Sequence, residues 1–178
     1  MATIGTEYWN AWRALREEFD KTVLFAKADS RPALDKLKNW ANDQSYPLVD
    51  AADKAWISIL DSYEEHPEIP PDVLLPWYPV PWKDGFDPAL LSLSELWSHF
   101  TTELPRYRVG VLCFIWRNNA VRMRDRLAVL VEVMQRDPSL EVVSYAGKCF
   151  RNGSNDGYRN LDVEGHVRWW EEHKGDVH

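Results

Sequence analysis

Apolar residues recur along most of this chain at spacings of three and four, the period of an α-helix that buries one face. Tyr8, Trp12, Leu15, Phe19 and Val23 fall within an arc of about 80° at 100° per residue, while Glu17, Glu18 and Asp20 lie off that arc or at its edge. The spacing predicts a helix over 6–27 with a narrow buried seam. Ser30 then offers an N-cap, Pro32 fits a first helical turn, and Leu34, Leu37 and Ala41 share one side, so a second helix is expected over 31–43. Val49, Ala52, Trp56, Ile59, Leu60 and Tyr63 span an arc of about 100° and predict a third helix, which ends near Glu65 because Pro67 follows.

Between 67 and 88 the pattern stops. Seven of the eleven prolines lie there, and each forces the residue before it out of the helical region. The stretch also carries Val73, Leu74, Leu75, Trp77, Tyr78, Val80, Trp82 and Phe86, which is too much apolar surface for a solvated tether. The expectation is an ordered, extended connector over 67–91 that buries its aromatics. The functional alternative is a recognition surface, since "PWYPVP" contains a P-x-x-P from Pro76 to Pro79 and presents Trp77 and Trp82.

Helical periodicity then resumes. Ser92 or Ser94 can cap a short helix with Leu96, Trp97 and Phe100 as its apolar residues. "RYRVGVLCFIW" has strand-like composition, but no second strand exists to pair with it, so a buried helix that breaks near Asn118–Asn119 is expected. Over 119–136 only a wedge of Arg124, Asp125, Glu132, Gln135 and Arg136 is polar, which points to a central helix. Asp137 and Pro138 read as the cap and first position of the next helix. "RNGSNDGYRN" is a loop, and a last helix runs from Asp162 to just before Gly175. The fold class is all-α: a helical bundle or short α-solenoid-like array of about seven or eight helices. It comprises an N-terminal three-helix unit (1–66), the Pro/Trp-rich connector (67–91) and a C-terminal helical unit (92–178), together one compact domain.

The stretch "MQRDPSLEVVSYAGKCF", Met134 to Phe150, resembles the inner joint of a HEAT-type helical repeat, with Asp137 and Pro138 at the turn and Val142, Val143, Ala146 and Gly147 at packing positions. "VRWWEEHK" is similar to the terminal helix that caps such arrays. The resemblance spans roughly residues 119–174 and implies a helical scaffold that binds proteins and has no chemistry of its own.

Composition narrows the function classes. Of 178 residues, 45% are hydrophobic and 28% charged, as in an ordinary globular chain, but ten are Trp, a residue of cores and binding surfaces. No run of about 18 apolar residues and no leader-like start occurs, so neither a membrane span nor export is expected, and a cytoplasmic location follows. Cys113 and Cys149 sit in apolar surroundings and read as small buried hydrophobes.

Charge is unevenly spread. Residues 1–104 hold 18 acids and 9 bases, residues 105–178 hold 10 acids and 12 bases, and the total is −7. Arg106, Arg108, Arg117, Arg122, Arg124 and Arg126 lie within 21 residues that include one acid, Asp125. These arginines can pair with the acidic N-terminal helices, meet an acidic surface of another protein, or touch phosphates. A chain of pI 5.2 makes nucleic acid the less expected partner.

Motifs for nucleotide, zinc-protease or serine-hydrolase chemistry are absent. Glu95, His99 and Glu103 recur every four residues and could in principle hold a metal, but that spacing is common on exposed helices, and no metal or cofactor is expected. His166 and His173 are too far apart to chelate one ion and are expected to be partly exposed beside Trp170. The expected function is non-catalytic protein binding, as a scaffold, accessory or inhibitory subunit, through Arg106, Arg117, Arg122, Arg126, Trp77 and Trp82. A nucleic-acid-binding protein using the 106–126 arginines is the alternative, and a metal-dependent hydrolase the second.

Overall fold

The computed structural model describes residues 4–64 and 105–178 of the chain. Seven α-helices are found there: α1 (Ile4–Lys27), α2 (Arg31–Asn42), α3 (Val49–Glu64), α4 (Pro105–Arg117), α5 (Met123–Arg136), α6 (Leu140–Ser154) and α7 (Val163–His173). No strand forms among the described residues, and the fold is all-α. The Pro/Trp connector, the expected helix after Ser92 and the Glu95, His99 and Glu103 set lie outside the described residues.

The chain divides into two compact units, Met1–Ser62 and Tyr63–His178. In the first, α1 and α2 pack together through Phe19, Thr22 and Ala26 on one side and Ala33, Leu34 and Leu37 on the other. The reversal between them is tight. Asp29 adopts a left-handed φ of 78°, and the amide of Ser30 donates to the Phe25 carbonyl at 3.0 Å. Trp40 stacks on Tyr46 with ring centroids 4.8 Å apart and on Phe19 at 6.2 Å.

The seam predicted along α1 is covered only over its C-terminal half, since Phe19 is buried whereas Tyr8 remains 66% exposed. Length explains the difference. α1 has 24 residues and α2 only 12, so at a rise of about 1.5 Å per residue the longer helix runs well past its neighbour.

The second unit is built around α6, which packs on α4, α5 and α7 and buries eight of its fifteen residues. Val109 and Leu112 from α4, Leu127, Leu130 and Met134 from α5, Val142, Ala146 and Phe150 from α6, and Trp170 from α7 form the core. α5 likewise packs on α4, α6 and α7, as the narrow polar wedge of 119–136 suggests, although α6 buries more of its residues. Strand-like composition in 106–116 has a packing cause: Val109, Val111, Leu112, Cys113 and Ile115 are all buried, so α4 is apolar around most of its circumference. Gly147 allows the backbone at Asn160 to lie directly against α6, where a Cβ would collide with the Asn160 carbonyl.

One expected cap is corrected. Asp137 is the C-cap of α5, and Ser139 is the N-cap of α6, its hydroxyl accepting from the Val142 amide. The Asp137 carboxylate is already committed, because it accepts the Ser139 amide at 2.9 Å and both Nε and Nη2 of Arg108. The capping role therefore passes two residues along.

Candidate functional site

Six arginines crowd α4 and the start of α5, and the fold sorts them into two classes. Arg108 turns inward and forms a bidentate pair with Asp137 at 2.7 and 2.8 Å, with side chains only 11% and 4% exposed. Such a pair ties α4 to the α5–α6 corner, and losing one partner would strand the other charge in the core. Arg126 is half-buried. Its Nη1 donates to the Trp116 carbonyl at 2.7 Å, and its guanidinium lies 5.6 Å from the centre of the Trp116 ring.

Four arginines face outward. Arg106, at the start of α4, is exposed. At the other end of that helix, Arg117 is exposed, and across the short turn Arg122 and Arg124 are exposed too. Arg122 pairs with Asp125 at 2.9 Å, but three-quarters of its side chain stays in solvent, so the pair contributes little energy. Arg117, Arg122, Arg124 and Arg126 therefore cluster around one turn with Asp125 as the single acid of the stretch. The turn is held by Asn118, which is buried, accepts the Ala120 amide through Oδ1 and the Val121 amide through its carbonyl.

Trp116 belongs to this surface and was not legible as such. Its ring lies over Gly153 of α6, where a Cβ would come within 2.8 Å of a ring carbon, so the glycine admits the tryptophan. Of the residues expected to bind a partner, the structure brings Arg117, Arg122 and Arg126 to one end of the second unit and places Arg106 at the far end of α4. Trp77 and Trp82 lie outside the described residues.

His166 and Asp156 form a buried polar pair in the second unit. His166, expected to be partly exposed, is fully buried. Its Nδ1 meets the Asp156 carboxylate at 2.6 Å, and its Nε2 donates to the Arg159 carbonyl at 2.9 Å, with both side chains out of solvent. The loop 155–160 folds over the ring and accounts for the burial. Tyr158 and Phe150 meet the ring edge-to-face. Both ring nitrogens are occupied, and the pair fastens the loop to α7. His173 stacks on Trp169 at 4.5 Å.

A second polar network joins Tyr63 and Glu64 to α6 and the same loop. The Tyr63 carbonyl accepts from Ser144 Oγ and Asn160 Nδ2, and the Glu64 carboxylate accepts from Arg151 and the Asn160 amide. Cys113 and Cys149 are buried free thiols, as their surroundings predict, and both contact the Tyr145 hydroxyl. Burial, reinforced by the two thiols, holds the Tyr145 phenol well above its ordinary value of 10.0.

A phenol raised on folding contributes its stability fully below the unfolded value, and that contribution is lost as pH climbs toward the folded one. The denaturation midpoint should therefore fall as pH rises above about 10 in the parent and fall less steeply in Tyr145→Phe. Equal slopes in the two proteins would place the alkaline sensitivity elsewhere.

Among the described residues no cluster of three or more His, Cys, Asp or Glu side chains could hold a metal ion. No described helix is long and apolar enough to cross a membrane. Comparison with protein-family models, with curated proteins and with solved structures finds no match to this chain.

Proposed function

We propose that this chain is a non-catalytic protein-binding protein that engages an acidic surface of its partner through the arginines around the α4–α5 turn. One observation carries the proposal: Arg117, Arg122 and Arg124 are exposed around one helical corner, and the stretch 106–126 that forms it has Asp125 as its single acid. Arginine combines a planar fork of donors with weak hydration, which favours it at interfaces over lysine. Arg108, paired with Asp137, and Arg126, bonded to the Trp116 carbonyl, tie together the two helices that carry the exposed set, so little backbone ordering opposes binding. A HEAT-type scaffold, with α5 and α6 as its helix pair and the Asp137–Pro138 joint between them, is the architecture this proposal favours. Trp77 and Trp82 are the aromatic anchors it adds from sequence, and Arg106 extends the basic surface along α4.

Cross-linking in cells that make the protein, followed by mass spectrometry, tests the proposal. The expected outcome is a partner whose acidic segment cross-links next to the 117–126 corner and survives nuclease treatment. Recovery of nucleic acid at that corner, with binding that falls steeply as salt rises, would favour the phosphate-binding alternative.

A further inference from the structure

Two hydrogen-bonding atoms at this end of the second unit are buried and find no partner among the described residues: Nε of Arg126 and Oγ of Ser154, the residue after Gly153. Native proteins leave few such atoms, and an unsatisfied donor on a charged group is among the costliest. Arg126 is not a loose side chain, since its Nη1 is fixed on the Trp116 carbonyl and its guanidinium lies over the indole. That anchoring leaves the Nε–Nη2 edge unfilled. It is the edge whose two parallel N–H groups match the two oxygens of a carboxylate.

Arg122 and Arg136 provide the contrast. Both already pair with an acid close by in sequence, Asp125 and Glu132 respectively, whereas Arg126 meets no acid among the described residues and instead holds a tryptophan. We infer that Arg126, backed by Trp116, is the specificity-determining residue of the basic corner and reads one Asp or Glu side chain of the partner through its Nε–Nη2 edge. This rests on the protein-binding proposal above and deepens it. Arg117, Arg122 and Arg124 supply general attraction to an acidic surface, and Arg126 fixes where one carboxylate must sit. Nε is out of solvent in the free chain, so a carboxylate reaches it only by displacing what covers that edge, while the Nη1–Trp116 carbonyl bond keeps the guanidinium in place. The Trp116 indole resonance, beside the guanidinium, reports the approach.

The test uses the full chain at low salt and an end-blocked oligoglutamate peptide as the probe, with the arginine Nε–Hε and tryptophan indole resonances followed by NMR. The Arg126 Nε–Hε and Trp116 signals should move most, the Arg136 signal should stay, and Arg126→Lys should weaken binding roughly tenfold while Arg136→Lys does not. If the peptide moves Arg117 and Arg124 but leaves Arg126 and Trp116 unchanged, the inference is wrong and the basic-corner proposal stands. If no arginine signal moves, both fail.

Discussion

Asp156→Ala should lower the stability of the 63–178 unit by about 3–5 kcal/mol, as expected when one member of a buried pair is removed. His166 would then sit fully buried with Nδ1 facing nothing, while Nε2 stayed tied to the Arg159 carbonyl. The loop 155–160 would lose a second tie as well, since the other Asp156 oxygen accepts the Tyr158 amide at 3.1 Å. His166→Leu should cost at least as much as Asp156→Ala, because it leaves the fully buried Asp156 carboxylate with only the Tyr158 amide on it and the Arg159 carbonyl without its donor. The double variant should be more stable than the sum of the single losses predicts. Denaturant melts of the three proteins check this, and additive losses would mean that the pair is not coupled.

Gly147→Ala should be nearly as damaging, by roughly 3 kcal/mol, although alanine is the better helix former. A Cβ at 147 would strike the backbone of Asn160, which is held by Tyr63 and Glu64 and cannot retreat as a flexible side chain would. Gly5→Ala in α1 is the matched control. Nothing lies within 4 Å of its Cβ position, so the same substitution should stabilise that helix by up to about 1 kcal/mol. Opposite signs at the two positions would show that contact with the 155–162 segment, not helix propensity, fixes the glycine. A neutral Gly147→Ala would show that the segment is free to shift.

Helix positions were legible because the period of 3.6 is written in single side chains: Phe19 and Ala26, Leu34 and Leu37, Leu127 and Met134 each mark a buried face. Caps were only partly readable. Ser30 stands at the N-cap of α2 as expected, but its hydroxyl makes no capping hydrogen bond, and Asp137 was already taken by Arg108, 29 positions away, a distance no local pattern spans. His166 failed for a related reason. Its neighbours in sequence suggest a half-exposed helix surface, and its burial comes from Asp156 and Arg159 in a loop ten and seven residues earlier.

The candidate site was legible in composition and not in arrangement. Six arginines in a short stretch announce a basic surface, but which of them turn inward depends on Asp137 and Trp116. Trp116 itself is visible only through Gly153, a contact between helices 37 residues apart in number that a sequence pattern cannot link.

The most direct measurement of the central claim is quantitative co-purification of tagged parent and Arg117→Glu/Arg124→Glu proteins from cells that make the chain, after nuclease treatment. Both positions are exposed, so charge reversal should leave the unfolding free energy within about 0.5 kcal/mol of the parent. The account predicts a partner protein held in stoichiometric amount by the parent and reduced at least tenfold in the variant. Equal recovery by the two proteins would contradict it.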